Sequence, residues 1–179
     1  FVVNTLGRRL CPDDLAGLAL DATGIVAGVE PYDRSVLESL PALKCISRCG
    51  VGMDNIDRPF AQERGVLVCN TPDVVIQPVA ELTVAMVFDL MRHLSYHTAV
   101  LKSKQWKKKA GRLLTEQVVG VVGLGRIGKR VAEIFRALGV QVIGSDCRPD
   151  LDWAEQKSVE MMELQELLKL AQRAPGNLE

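Results

Sequence analysis

Short apolar runs alternate with segments of helical periodicity in the first part of the chain. The apolar runs are FVV, TGIVAGV, LKCISRC and VLVCN, and the segments between them are PDDLAGLALD, RSVLESL and RPFAQERG. Such continuously apolar runs have no wet face, which is typical of parallel strands covered by helices. The pattern therefore predicts one α/β unit with a parallel sheet from Phe1 to Asn70.

The segment NTPDVVIQP interrupts this alternation. Pro72 and Pro78 exclude a helix across it, and Pro78 suits the first turn of the next helix. We therefore expect a hinge here, with a first domain at residues 1–72 and a second at 73–179. The sequence then predicts its longest helix over 78–102, apolar on nearly every face in its first half. A helix that is apolar on all sides must be buried on all sides. Its own domain can cover part of it, and another subunit is a candidate for the rest.

The stretch VVGVVGLGRIGKRV carries three glycines between an apolar run and a basic helical segment. A strand over 118–122, a helix over 126–138 and a second strand that ends at Asp146 form the context of a dinucleotide-binding loop. In this context Gly123 makes the tight turn, Gly125 lets the backbone approach a pyrophosphate, and Gly128 lets the helix pack on the strand.

The residues around this loop suggest which nucleotide it binds. The amides of Arg126 and Ile127 at the helix N-terminus point at an anion. Asp146 follows the second strand, where a carboxylate accepts hydrogen bonds from ribose hydroxyls and repels a 2′-phosphate. Arg148 weakens this preference, because a guanidinium can hold that phosphate. The sequence therefore favours NAD and leaves NADP open.

Charge and composition exclude some classes of partner. The 22 basic and 22 acidic side chains cancel, so no overall charge favours nucleic acid or an anionic membrane. No apolar stretch approaches the ~20 residues of a membrane span, and no signal peptide precedes the first run, so we expect a cytoplasmic protein. The basic segment at 102–114 is interpreted as a solvated linker rather than an anion-binding patch.

Two sets of residues invite a metal or redox interpretation. The five cysteines form no C-x-x-C pair, and we interpret them as reduced thiols. His93 and His97 have the spacing of a metal pair on a helix, but no third ligand lies nearby in sequence. We therefore expect no metal site.

Three stretches, in order, resemble the D-isomer-specific 2-hydroxyacid dehydrogenases, and most of all their phosphoglycerate dehydrogenase branch. They are SRCGVGMDNID, then GVLVCNTP with VAELTVAMVFDLMR, and finally VVGVVGLGRIGKRVAE. The resemblance implies a flavodoxin-like N-terminal substrate domain, lacking its first strand here, followed by the first half of a Rossmann-type doubly wound parallel sheet. It also implies a homodimer formed largely through the helix at 78–102.

The resemblance gives the loop at residues 50–52 a role as well. In the family this loop reaches the substrate carboxylate and the nicotinamide end of the cofactor. Gly50 and Gly52 are then substrate-binding and Val51 is cofactor-binding. Arg48 beside the loop could meet a carboxylate, but a structural pairing is favoured.

The chain departs from the family pattern near its end. The family's catalytic Arg, Glu and His lie in the second half of the cofactor domain, and MMELQELLKLAQ and RAPGNLE do not match those motifs. We therefore expect a chain that stops before the catalytic half, and we assign no catalytic residue. Two functions stay open. One is an NAD-dependent dehydrogenase of a 2-hydroxy acid, with 3-phosphoglycerate among the candidates, and the other is a non-catalytic NAD-binding or corepressor-like interaction module.

Overall fold

The computed structural model describes residues 1–173, and the chain divides into two compact units, Phe1–Val75 and Ile76–Glu179. We call them unit 1 and unit 2. Both are α/β units with parallel sheets, so the predicted fold class is confirmed. The substrate and cofactor roles expected for residues 1–72 and 73–179 remain predictions. Apart from Arg173, the tail RAPGNLE lies outside the described residues.

Unit 1 is a three-stranded parallel sheet in the order β1-β2-β3. Its strands are β1 (Gly24–Ala27), β2 (Cys45–Arg48) and β3 (Leu67–Asn70), and its helices are α1 (Pro12–Leu18), α2 (Arg34–Glu38) and α3 (Arg58–Glu63). The core forms where the helices pack on one face of the sheet, around the fully buried Ile46, Leu37 and Leu40. From α1 onward, this element order is the alternation that the apolar pattern predicts.

The other face of this sheet is open in unit 1. Val26 is 83% exposed and Leu67 is 65% exposed, and both lie on the face opposite Ile46. The expectation that helices cover the parallel sheet therefore holds for one of its faces within the described residues.

The first apolar run is the strand prediction that fails. Phe1, Val2 and Val3 have no strand structure and are largely exposed. Three apolar residues without a neighbouring strand gain too little burial and too few hydrogen bonds to offset the entropy of ordering them.

Unit 2 is built around a second parallel sheet, in the order β4-β5-β6. The strands are β4 (Val118–Val122), β5 (Gln141–Ser145) and β6 (Glu160–Met161). The helices are α4 (Ile76–Arg92), α5 (Leu94–Lys102), α6 (Arg126–Ala137), α7 (Leu151–Gln156) and α8 (Leu164–Arg173), with a 3₁₀ turn at Leu114–Glu116. The predicted strand at 118–122 is confirmed to the residue, and α6 ends one residue before its predicted bound.

The single helix predicted over 78–102 is wrong, because the chain forms two helices there. His93 between α4 and α5 has a φ of 53°, in the left-handed region. The Asp89 carboxylate accepts hydrogen bonds from the backbone amide of Ser95, at 2.6 Å, and from its hydroxyl. The first of these bonds satisfies an amide at the start of α5, so a new helix begins rather than the old one continuing.

Helix α4 is covered on one side only. Ala80 is fully buried, and Val84, Val87, Phe88 and Met91 pack against the core of unit 2. Its exposed apolar face consists of Val79, Leu82, Met86 and Leu90, with exposures of 40%, 61%, 52% and 56%. Within residues 1–173, no helix has the length and apolar character needed to cross a membrane.

Candidate nucleotide-binding site

The glycine-rich loop begins where β4 ends. Gly123 has a φ of 89°, a backbone conformation that residues with a Cβ rarely adopt. Glycine adopts it without steric strain, so this turn favours glycine. Its amide donates a 2.8 Å hydrogen bond to the carbonyl of Ser145 at the end of β5. The turn is thus fixed against the neighbouring strand, and Gly123 itself is exposed.

The next two glycines serve opposite needs. Gly125 is the N-cap of α6, and a Cβ built on it meets no other heavy atom within 4 Å. A Cβ on Gly128 would lie 1.9 Å from the carbonyl oxygen of Gly123. Gly128 is therefore required for packing α6 against the loop, whereas Gly125 leaves an open space in front of the helix.

Among the described residues, the N-cap of α6 makes no side-chain capping hydrogen bond. Helices α2, α3 and α7 are each capped by an aspartate, namely Asp33, Asp57 and Asp150. Gly125 offers no such acceptor, and the first turn of α6 holds no acidic residue. The first turn of an α-helix forms its positive end, and the amides of Arg126 and Ile127 lie in this turn of α6. An anion in the space beside Gly125 fits this arrangement.

Asp146 lies directly beside the loop. Its carboxylate accepts hydrogen bonds from the amides of Arg148, at 2.7 Å, and of Leu124, at 2.6 Å. These two amides, in that order, lower the pKa of Asp146, and the positive charge of Lys129 contributes to the same shift. The carboxylate is therefore ionised at neutral pH. A carboxylate has about four acceptor sites, so acceptor capacity remains for a ribose.

A cluster next to Asp146 is missing from the sequence-based site. The Lys129 ammonium pairs with the carboxylate of Asp150 and lies 5.1 Å from the ring centroid of Trp153. Asp150 also caps α7, because its other oxygen accepts from the amide of Trp153 at 3.1 Å. The sequence offered two weak signals for this cluster. Lys129 directly follows the third glycine, and Asp150 is an acidic residue at the start of a helix.

The loop at residues 50–52 lies in unit 1, at the carboxyl end of β2. Gly50 is buried with a φ of 135°, and its amide donates to the hydroxyl of Thr71 at 2.9 Å. The carbonyl of Val51 accepts from the side chain of Asn70 at 2.8 Å. The loop is therefore attached to the end of β3, while the side chain of Val51 is 45% exposed.

Arg48 fills the space that Gly50 leaves. A Cβ on Gly50 would lie 2.3 Å from Nη1 of Arg48, whose guanidinium donates to the carbonyl of Cys49. Nε of Arg48 is buried without a hydrogen-bond partner in the described part of the chain. The predicted structural pairing of Arg48 is thus with a backbone carbonyl, and one of its donors is unused.

The glycine loop and Asp146 come together in unit 2, and the loop at 50–52 lies in unit 1. His93 and His97 do not form part of either site. Nε2 of His97 lies 3.2 Å from the carbonyl of Lys109. Over residues 1–173 no group of three or more His, Cys, Asp or Glu residues is placed to hold a metal ion.

Comparison with known proteins gives one family. The sequence model of the D-isomer specific 2-hydroxyacid dehydrogenase catalytic domain matches residues 3–176. The chain is 40% identical over 141 residues to a D-3-phosphoglycerate dehydrogenase of Methanocaldococcus jannaschii. This alignment covers 77% of this chain and 27% of that protein. It is 35% identical over 148 residues to a hydroxypyruvate reductase of Thermotoga maritima, with 81% and 47% covered.

A solved structure extends the comparison. The D-lactate dehydrogenase of Aquifex aeolicus, crystallised with NAD and lactic acid, matches with a TM-score of 0.75 and 31% identity. The match covers 86% of this chain and 47% of that one. The chain thus spans less than half the length of each of these relatives.

Proposed function

The chain belongs to the D-isomer-specific 2-hydroxyacid dehydrogenase family, and from this premise we propose that unit 2 binds NAD. We also propose that the whole protein transfers a hydride between NAD and a 2-hydroxy or 2-keto acid. The observation that carries the proposal is the uncapped N-terminus of α6 behind the open space at Gly125, with the ionised Asp146 beside it.

Each residue of the site has one task in this proposal. The first-turn amides of Arg126 and Ile127 bind the pyrophosphate, and Gly125 leaves room for it. Gly123 and Gly128 shape the loop, and bound NAD supplies the nicotinamide that accepts or gives the hydride. The free acceptor sites of the Asp146 carboxylate bind the adenosine ribose hydroxyls, and its charge repels a 2′-phosphate.

Calorimetry on this chain tests the cofactor proposal. We expect ADP-ribose and NAD to bind, and Asp146→Asn to weaken both by about tenfold, since hydrogen bonds to a charged group contribute about 1.5–3 kcal/mol. Asp152→Asn removes a negative charge from an exposed position in α7 and is the matched control. Equal affinity of the Asp146→Asn variant and the wild-type chain would contradict the assignment of Asp146.

The substrate half of the proposal concerns unit 1. We propose that Gly50 and Gly52 bind the carboxylate of a small 2-hydroxy acid and that Val51 contacts the nicotinamide end of the cofactor. Support comes from the position of this loop at the carboxyl end of a parallel strand, where such sheets bind ligands. The exposed side chain of Val51 is consistent with this role.

An absorbance assay for NADH with a set of 2-keto acids, on the longest natural form of the protein, tests the reaction. Hydroxypyruvate and 3-phosphohydroxypyruvate are the first substrates to compare, given the names of the curated relatives. Oxidation of NADH with either supports the dehydrogenase. Tight NAD binding without turnover of any 2-keto acid would favour a non-catalytic NAD-binding module instead.

We further propose a homodimer through α4. Val79, Leu82, Met86 and Leu90 form a continuous apolar stripe that nothing covers within residues 1–173. A second copy of the same helix would bury it.

A further inference from the structure

Lys129 forms its salt bridge with Asp150 rather than with Asp146. Its ammonium pairs with Asp150, lies over the ring of Trp153 and is 27% exposed. The second oxygen of Asp150 accepts a hydrogen bond from the amide of Trp153 and so caps α7. The lysine is therefore paired with a carboxylate that a backbone amide orients.

We propose that Asp150 is a specificity residue, which selects NAD over NADP by keeping the Lys129 ammonium away from the 2′ position of the adenosine ribose. The inference rests on the proposed function, since it requires the ribose at Asp146. It concerns a residue four positions beyond Asp146, which acts here through Lys129.

The argument begins with the charges around the 2′ position. Asp146 repels a 2′-phosphate, whereas a cation brought beside it would oppose that repulsion. Arg148 is exposed, and the charge of Lys129 acts on the Asp146 carboxylate. A lysine free to turn toward Asp146 would compensate much of the repulsion, as a compact ammonium binds phosphate readily.

The Asp150 carboxylate changes this balance. While Lys129 is paired with it, the carboxylate compensates the charge of the ammonium, and the ammonium points toward α7. A 2′-phosphate would have to compete with an existing carboxylate for the same ammonium. Discrimination against NADP is then the sum of the repulsion by Asp146 and the removal of Lys129 from reach.

The test is calorimetry of NAD and NADP with the full chain and four variants. Asp150→Ser removes the carboxylate but keeps an oxygen that caps α7. Lys129→Met removes the ammonium and keeps the stem over Trp153. The double variant joins the two changes, and Asp152→Ser removes a neighbouring negative charge at an exposed position of α7. Far-UV circular dichroism and thermal unfolding check that each variant is folded.

We expect Asp150→Ser to lower the ratio of the NADP and NAD dissociation constants by about five- to tenfold, with NAD affinity almost unchanged. The double variant should return the ratio to at least the wild-type value, and Asp152→Ser should leave it within about twofold. An unchanged ratio in Asp150→Ser overturns the inference. An equal fall in the double variant also overturns it, because Asp150 would then act by its own charge and not through Lys129.

The same titrations separate this inference from the function on which it rests. If the wild-type chain binds NAD and the ratio does not respond to Asp150→Ser, only the role of Asp150 is refuted. If the wild-type chain binds neither NAD nor NADP, the proposed function fails and this inference fails with it.

Discussion

Gly125 and Gly128 lie three residues apart and respond differently to the same added methyl group. At Gly128 the new Cβ would lie 1.9 Å from a backbone oxygen, so Gly128→Ala forces α6 away from the loop. We expect it to lower the free energy of unfolding by about 1–3 kcal/mol, the usual cost of overpacking. Urea unfolding measures this value.

Gly125→Ala is the matched variant for this prediction. Its φ of −68° suits alanine and its Cβ side is open, so we expect the free energy of unfolding to stay within about 0.5 kcal/mol. The methyl group would fill the space proposed for the pyrophosphate, so binding of ADP-ribose should weaken at least tenfold. A variant that is stable and binds normally would remove Gly125 from the proposed site.

Tyr32 makes the stability of unit 1 sensitive to alkali. Its side chain is 2% exposed, and burial, with a smaller effect of the Glu30 charge, raises its pKa to about 12. An unfolded chain ionises tyrosine near pH 10. The stabilisation is therefore complete below pH 10 and is lost as the pH rises toward 12, by no more than about 1.4 kcal/mol per pH unit.

Urea unfolding at pH 9 and pH 11 measures this loss. We expect Tyr32→Phe to lose less stability between the two pH values than the wild-type chain, because phenylalanine has no proton to release. Tyr96→Phe, at a side chain that is 38% exposed, should behave like the wild-type chain. Equal losses in Tyr32→Phe and wild type would show that Tyr32 has no part in the alkaline transition.

Residue roles could be predicted from the sequence where the cause was local. The turn at Gly123 and the close packing at Gly128 follow from spacing within one strand–loop–helix motif. The bonds from Gly50 to Thr71 and from Lys129 to Asp150 join residues 21 apart in both cases. Such pairs depend on how strands and helices are placed, and no local pattern in the sequence encodes them.

The strands and helices also divide into those with a local cause, which the sequence predicts, and those that depend on other parts of the fold. Every predicted strand with a neighbour to pair with formed, and the lone run at Phe1–Val3 did not. The break at His93 also lay beyond a periodicity argument, since apolar spacing continues across it. The Asp89 carboxylate accepts a hydrogen bond from the amide of Ser95, and this bond starts α5 instead of letting α4 continue. Hydrophobic periodicity predicts which face is buried, whereas local side-chain acceptors decide where a helix ends.

The exposed stripe on α4 gives a prediction for the oligomeric state. If two copies pack through this helix, Met86→Gln and Leu90→Gln each introduce a polar amide into a buried contact in both subunits. Burial of one Met or Leu side chain contributes about 1.5–3 kcal/mol, and each variant loses this contribution. The dimer dissociation constant should therefore rise at least tenfold. Light scattering over a dilution series measures this constant.

Leu151→Gln is the control for the α4 variants. Leu151 is 63% exposed on α7 and lies outside the stripe, so this variant should associate like the wild-type chain. Dimers of unchanged affinity in both α4 variants would assign the interface to another surface. A wild-type chain that is monomeric at all concentrations would refute the proposed homodimer.

At the scale of the whole molecule, the described residues 1–173 form two separate cores, and the proposed nucleotide site lies beside the core of unit 2. The residues of one core all belong to unit 1, and those of the other all belong to unit 2. A ligand at one hundred times its dissociation constant stabilises the part that binds it by about 2.7 kcal/mol. Whether that stabilisation reaches the other unit depends on whether the two cores unfold together.

Hydrogen exchange of the full chain with ADP-ribose distinguishes these cases. We expect amides of β4 and β5 to become up to about a hundredfold better protected at that ligand concentration, whereas amides of β2 in unit 1 keep their exchange rates. The Asp146→Asn variant should show a smaller gain in β4 and β5 at the same concentration of ADP-ribose. Equal protection of β2 would mean that both units open in one cooperative step, and that the two cores are energetically a single domain. Protection confined to β2 would instead move the nucleotide site to unit 1 and contradict the role of the glycine loop.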